Sequence, residues 1–126
     1  MRYMFLISGV ETGAAPPQRM IDEIERLTEQ EMAAGRMLAR GGLLPAAMDS
    51  ARVESRRGKL KVMDGPFAES KEVIGGFAIF EFATRADALA AAERFMELHT
   101  RYWPEWEGVC EMRQMFGFGV SARERG

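Results

Sequence analysis

The sequence predicts a single α+β domain. Strand-like alternation and helix-like spacing of apolar residues follow one another in the order strand, helix, two short strands, strand, helix, strand. The chain has 126 residues, of which 47% are hydrophobic, so it is long enough for one domain with a substantial core. This order indicates a ferredoxin-like βαββαβ arrangement with an extra hairpin, in which two helices cover one face of an antiparallel sheet. We place the domain at residues 1–120 and expect residues 121–126 to be a frayed tail.

The first predicted strand, at residues 2–8, is apolar on both of its faces. One face carries Tyr3, Phe5 and Ile7, and the other carries Met4 and Leu6. A helix is predicted next, from about Pro16, which suits a first helical turn, to about Ala34, with Gly35 as its stop. Helical spacing predicts the buried stripe at Met20, Ile24, Leu27 and Glu31.

The middle of the chain predicts an edge segment and a hairpin. Residues 37–47 are rich in small residues and predict a broken edge segment. Residues 51–56 and 59–63 predict two paired strands, because a turn at Arg57-Gly58 separates two short runs. The hairpin is basic through Arg52, Arg56, Arg57, Lys59 and Lys61. A solvated hairpin and a contact with an anionic partner both fit this composition.

The second half of the chain predicts a strand, a helix and a last strand. Residues 76–82 form a strand that is again apolar on both faces. Thr84 is a natural N-cap for the second helix, which ends near His99, and residues 108–116 form the last strand. The buried stripe of the second helix is predicted at Leu89, Ala92, Phe95 and Met96. Cys110, Met112 and Phe116 are predicted to share one face of the last strand, with Cys110 as a small core residue.

The two-sided apolar strands predict a homodimer. Two helices cover only one face of a ferredoxin-like sheet, and the other face would be a large exposed apolar patch. We therefore expect two copies of the chain to pack sheet to sheet.

Composition excludes several function classes. The formal net charge of −2 gives no reason to expect a nucleic-acid partner. Neither a signal-peptide core nor a run long enough to span a membrane is present in the sequence, and no membrane partner is predicted. A single cysteine suits a reducing compartment, so a cytoplasmic location is expected. No cofactor and no metal are predicted, because no phosphate-binding or dinucleotide-binding motif is present and one histidine with one distant cysteine does not make a zinc site.

The polar chemistry is concentrated at residues 63–77. Asp64 begins a turn with Gly65 and Pro66, and its carboxylate either caps the turn or serves as a general base in a cleft. Glu69, Lys71 and Glu72 follow, either as a solvated group or with Lys71 neutralising Asp64 or an anionic ligand. The pair Gly75-Gly76 predicts a bulge, with close approach of a ligand as the alternative.

Aromatic residues follow the second helix. Tyr102, Trp103 and Trp106 either pack within the fold or the dimer, or roof an apolar pocket. His99 lies at the end of the helix, where the helix dipole favours a cation.

The central stretch resembles a known family. Asp64-Gly65-Pro66-Phe67-Ala68-Glu69-Ser70-Lys71-Glu72, followed by Gly75-Gly76-Phe77, resembles the signature of the DGPF proteins of the YCII-related superfamily. Gly41-Gly42-Leu43-Leu44-Pro45 and Val109-Cys110-Glu111-Met112-Arg113 also look like its pattern. The resemblance implies a ferredoxin-like fold, a dimeric α/β-barrel-like assembly and a cleft in each subunit.

The resemblance also implies an enzyme with a facing Asp and His, and relatives include a dehalogenase of chlorinated muconolactones. The aspartate matches Asp64, whereas residues 16–35 contain no histidine to match the other member. Glu29, Gln30 or Arg40 is a candidate replacement. DGPF proteins are often encoded beside extracytoplasmic-function sigma factors, which implies a regulatory role.

Two functional hypotheses follow. In the first, the protein binds a small organic anion and catalyses proton transfer, as an isomerase or lyase acting on an organic acid or lactone. Asp64 is then the base, Lys71 stabilises negative charge, and Glu69 or Glu72 orients Lys71. The predicted substrate-binding residues are Glu69, Glu72, Arg40 and Trp103. In the second, the protein is a non-catalytic sensor or interaction module acting with a sigma-factor system.

Overall fold

The predicted order of elements is confirmed by a computed structural model, which describes residues 1–10, 13–45, 48–65 and 73–116. The strands are β1 (Arg2–Gly9), β2 (Met37–Gly42), β3 (Ala51–Arg56), β4 (Lys59–Asp64), β5 (Val73–Glu81) and β6 (Gly108–Gln114), and the helices are α1 (Gln18–Ala33) and α2 (Arg85–Tyr102). Four strands form an antiparallel sheet in the order β2-β5-β1-β6, and β3 pairs with β4 in a separate hairpin. This is the ferredoxin-like order, with the hairpin as an insertion between its second and third strands. The predicted tail at 121–126 lies outside the described residues.

The register of β1 against β5 assigns the two faces of the sheet. Phe5 lies opposite Ala78, and Met4 lies opposite Ile79, so alternate residues point to opposite sides as predicted. The core on the helix side consists of Tyr3, Phe5, Phe80, Phe82, Ala88, Ala91 and Ala92. The rings of Phe5 and Phe80 are 4.7 Å apart, which places the largest side chains of the core on the sheet.

Helix α2 presents a different stripe from the predicted one. Leu89 is 40% exposed, so its assignment to the core was wrong, and the buried residues are Ala88, Ala91, Ala92 and His99. The three phenylalanines of the sheet fill the space between the layers, so the helix packs through its smallest side chains. The predicted cap is confirmed, because the Thr84 hydroxyl accepts a hydrogen bond from the Asp87 N–H at 3.1 Å.

Helix α1 ends in a motif that matters for the site. Gly35 has a φ of 74°, which a glycine adopts without strain, and the Arg36 N–H donates to the Glu31 carbonyl. This six-to-one bond is the Schellman motif. The helix thus stops at the predicted glycine, although it begins at Gln18 rather than at Pro16, with Pro17 as its N-cap.

The two predicted strands of the hairpin are confirmed. Arg57 and Gly58 both have positive φ values, 52° and 76°, as a two-residue turn with the right twist requires. The predicted edge segment is also an edge strand, β2, whose pairing with β5 is interrupted between Met37 and Ala39. The last strand is shorter than predicted. It ends at Gln114, and Phe116 is 98% exposed rather than on the core face of the strand.

The second face of the sheet has no helix packed on it among the described elements. Its centre is apolar and half-buried to buried through Met4, Leu6, Phe77 and Ile79. Towards the β6 edge it becomes charged, where Glu111 and Arg113 form an ion pair at 3.6 Å. Neither described helix combines the length and the apolarity needed to cross a membrane.

Candidate active site

A cavity of about 540 Å³ lies between the two helices and the sheet. The sheet contributes its glycines and aromatic residues, and α1 contributes most of the helical wall. Its lining consists of Phe5, Ile7, Ile24, Leu27, Thr28, Glu31, Met37, Arg40, Gly41, Gly42, Gly75, Gly76, Phe77, Ala78, Phe80, Ala91 and Phe95. Because most of these are apolar and only Thr28, Glu31 and Arg40 carry polar side chains, the cavity suits a small organic molecule.

Glu31 is the buried polar group of this cavity. Its side chain is only 5% exposed, and its two oxygens contact the guanidinium groups of Arg36 and Arg94. The contact of Glu31 Oε1 with Arg94 Nη2 measures 3.4 Å. Arg36 reaches Oε2 because the Schellman motif folds the chain back beneath the last turn of α1. A carboxylate offers about four lone-pair positions, so two arginines leave room for a ligand to bond to it.

Arg40 was a predicted binding residue, and the structure places it in the lining of the cavity. It lies on β2 opposite Ala78, on the face of the sheet that the helices cover. Its two terminal nitrogens each lie 3.2 Å from one oxygen of Glu25 on α1. Arg40 and Glu25 are 45% and 49% exposed, so this two-pronged ion pair stands at the boundary between the cavity and solvent.

Glycines open the sheet side of the cavity. The register of β1 against β5 shifts at Gly75, which confirms the predicted bulge. Gly75 has no partner residue on β1 in this register, and its carbonyl accepts a hydrogen bond from the N–H of Leu43 at 3.0 Å. On the helix-free face of the sheet, the ring of Phe77 lies across its partner Gly41, where an added Cβ would be 2.6 Å from a ring carbon. The bulge therefore lies in a segment that lines the cavity, and the close approach of a ligand to it stays a prediction.

Asp64 lies elsewhere. It is the last residue of β4, it pairs with Ala51, and it is exposed. Among the described residues that line the cavity, Asp64 does not appear. Glu69, Lys71 and Glu72 lie outside the described residues, so the predicted pairing of Lys71 with Asp64 stays a prediction.

The aromatic residues after α2 pack against the end of the sheet. Trp106 contacts His99 at a ring distance of 4.5 Å and stacks on Trp103 at 6.1 Å. Its indole also covers Gly9, where an added Cβ would be 2.9 Å from the ring, and lies closer still to the paired Gly108. Trp103, a predicted binding residue, is not among the described residues that line the cavity. Packing within the fold is therefore what the structure describes for these rings.

His99 is buried rather than a solvated helix-end cation. Burial lowers the pKa of its ring, and the hydrogen bond between Nδ1 and the carbonyl of Phe95, 3.1 Å long, opposes this effect only in part. The dipole argument is thus outweighed by desolvation. Cys110 was predicted as a small core residue, and the structure shows it half-buried and packed against the core cluster, where burial raises the pKa of its thiol to about 11.

Thr28 and Glu31 were missed as site residues. Glu31 was assigned to the buried stripe by its spacing, and a charged residue in that stripe was the available signal. Its partner Arg94 is 63 residues away, so no local pattern indicates that a compensating charge reaches it.

The fold and the cavity define an α+β domain of the ferredoxin-like class with a site between its helices and its sheet. The protein-family model of the YCII-related domain matches residues 1–100. Because this match covers most of the 126 residues, the chain belongs to the YCII-related domain family. No match was found among curated proteins.

Proposed function

We propose that the protein binds a small organic acid or lactone in the cavity between helices and sheet and transfers a proton on it. The observation that carries this proposal is the buried, doubly ion-paired carboxylate of Glu31 in a cavity whose other lining is mainly apolar. An apolar cavity with a few convergent polar groups is the usual form of a small-molecule site.

Glu31 is the base in this proposal. Its carboxylate takes a proton from a carbon next to the ligand's carbonyl, so that the C–H bond breaks and an O–H bond forms on Glu31. The electron pair moves to the carbonyl oxygen, where a guanidinium group stabilises the developing negative charge. Return of the proton to another carbon gives isomerisation. In elimination the electron pair returns from the oxygen to form a C=C bond, the leaving group departs with its bonding electrons, and Glu31 releases its proton to the leaving group or to solvent. This is the isomerase or lyase chemistry expected from the sequence, with Glu31 in place of Asp64.

A thermal-shift screen of organic acids and lactones tests binding. The blocking variant is Gly42→Leu, because Gly42 shares its face with Arg40, lines the cavity and has no atom of the described residues within 4 Å of an added Cβ. Ala51→Leu adds an exposed leucine on the hairpin and is the matched control. We expect compounds that stabilise the wild type and Ala51→Leu equally and leave Gly42→Leu unchanged. Equal stabilisation of all three proteins would move binding out of the cavity.

Proton transfer is tested by exchange of ligand C–H for C–D in heavy water, followed by NMR. We expect exchange with the wild type and with Asp64→Asn, and loss of exchange with Glu31→Gln, which keeps the size of the side chain but removes the base. Loss with Asp64→Asn and retention with Glu31→Gln would return the role of base to Asp64.

Three further points belong to this proposal. Membership of the DGPF group within the family, a cytoplasmic location and a homodimer follow from the sequence pattern. The non-catalytic sensor or interaction module linked to a sigma factor is the alternative that a screen without any stabilising compound would favour.

A further inference from the structure

We infer that Arg40 is the carboxylate-binding residue of the cavity and that Glu25 is a built-in competitor for it. This inference rests on the proposed function. It concerns which ligands enter the cavity, rather than whether one does. Arg40 selects organic monocarboxylates whose apolar part fills the cavity and whose carboxylate replaces that of Glu25.

Arg40 and Glu25 form an ion pair with two parallel contacts. Both terminal nitrogens of Arg40 contact the two oxygens of Glu25 at 3.2 Å, so Glu25 occupies the planar fork with which an arginine binds a carboxylate. Arg40 itself lines the cavity, whereas Glu25 reaches it from α1. The fork is therefore occupied by a carboxylate in a position that a ligand in the cavity can take over.

The ion pair of Arg40 and Glu25 is partly exposed to solvent. Arg40 and Glu25 are both nearly half exposed, and a solvated ion pair of this kind contributes little to stability. Once displaced, Glu25 can be hydrated at the surface. A ligand carboxylate that turns into the cavity is better shielded from water, so its bond to Arg40 is the stronger of the two.

Positive charges outnumber negative ones among the described ion-paired groups at the cavity. Within the part of the chain that the structure describes, the paired groups at the cavity and around Glu31 are the arginines Arg36, Arg40 and Arg94 against the glutamates Glu25 and Glu31. Three cations face two anions, and Glu31 is held by two arginines of its own. A ligand carboxylate on Arg40 releases Glu25 and does not disturb the pairs of Glu31.

The test uses naphthylacetate and its neutral counterpart naphthylacetamide, titrated against purified full-length protein by calorimetry. Glu25→Gln removes the competitor. Glu23→Gln is its matched control, because Glu23 lies on the same helix and pairs with Arg26 at 3.1 Å, so it loses the same charge and a comparable ion pair. Arg40→Gln removes the fork. Circular dichroism checks that each variant is folded.

We expect Glu25→Gln to bind naphthylacetate about two- to fivefold more tightly than the wild type, with Glu23→Gln unchanged. Arg40→Gln should weaken naphthylacetate by roughly tenfold or more, because a charge-assisted two-pronged bond is lost. Naphthylacetamide should bind all four proteins within about twofold, since it carries no charge.

Two results would overturn the inference, and they differ in what else they overturn. If both probes bind the wild type, are blocked by Gly42→Leu and ignore Glu25→Gln and Arg40→Gln, the cavity binds ligands but Arg40 does not select their charge. If neither probe binds, the proposed function and this inference fail together.

Discussion

The carboxylate of Glu31 on α1 lies 3.4 Å from the guanidinium of Arg94 on α2, and this contact joins the two helices at the wall of the cavity. The carboxylate is almost wholly buried, while half of the Arg94 side chain is exposed. The free-energy cost of desolvation is therefore larger for the Glu31 carboxylate than for Arg94, and the contacts with two arginines offset that cost.

Replacing Glu31 is therefore expected to destabilise the fold. Glu31→Ala should lower the free energy of unfolding by about 1–3 kcal/mol, because hydrogen bonds to two charged partners are lost. Glu29→Ala, an exposed change on the same helix, should stay within about 0.5 kcal/mol. Urea unfolding measures both, and a loss from Glu31→Ala as small as that from Glu29→Ala would show that the ion pairs contribute no stability.

Two glycines should respond in opposite ways to alanine. Gly108→Ala should destabilise by about 1–3 kcal/mol, because its Cβ would overlap the ring of Trp106 and the carbonyl of Ser8. Gly42→Ala should be neutral or stabilising by about 0.4–1 kcal/mol, because its Cβ meets no atom of the described residues and the unfolded chain loses freedom. Comparable losses at the two sites in urea unfolding would contradict the described position of Trp106.

His99 predicts a loss of stability in acid. Burial lowers the pKa of the folded state, so the unfolded chain binds the proton first as the pH falls below about 6.5. Stability from neutral His99 is therefore complete above that pH and declines below it, down to the lowered pKa of the folded protein. The variant His99→Phe keeps an aromatic ring against Trp106 and cannot titrate.

The measurement for His99 is the melting temperature between about pH 7.5 and about pH 5.5. Wild type should lose more over this range than His99→Phe, since carboxylates contribute equally to both. Parallel curves for the two proteins would show that His99 is not desolvated in the folded state.

The helix-free face of the sheet predicts a homodimer in solution. The apolar centre formed by Met4, Leu6, Phe77 and Ile79 is covered by no helix among the described residues, and a second copy of the same face would bury it. Sedimentation should give a dimer for wild type and a monomer for Leu6→Glu. Leu89→Glu, which places the same charge on the exposed side of α2, should remain dimeric. A wild-type monomer at micromolar concentration would rule this assembly out.

Much of the fold could be predicted from local patterns. Alternation placed Phe5 and Met4 on opposite faces, and Gly35 and Thr84 marked helix ends, because these features depend on neighbours in sequence. The stripe of α2 was misplaced at Leu89, since spacing alone does not show that phenylalanines from three strand positions already fill the interface.

The site was harder to predict because it depends on distant residues. Spacing placed Glu31 in the core, but only the folded chain brings Arg36 and Arg94 to it from other elements. The polar motif at residues 63–77 predicted a catalytic role for Asp64. Its position at the end of the exposed hairpin follows from the register of β3 and β4 rather than from its neighbours in sequence.

We expect the cavity that contains Glu31 to be the functional site of the protein. Amide NMR of labelled protein, titrated with an organic acid that stabilises it, tests this most directly. Chemical shifts should change mainly at Thr28, Glu31, Gly42 and Gly76, with the hairpin unchanged. Shifts concentrated at Asp64 and its partner Ala51, with the cavity residues unchanged, would contradict it.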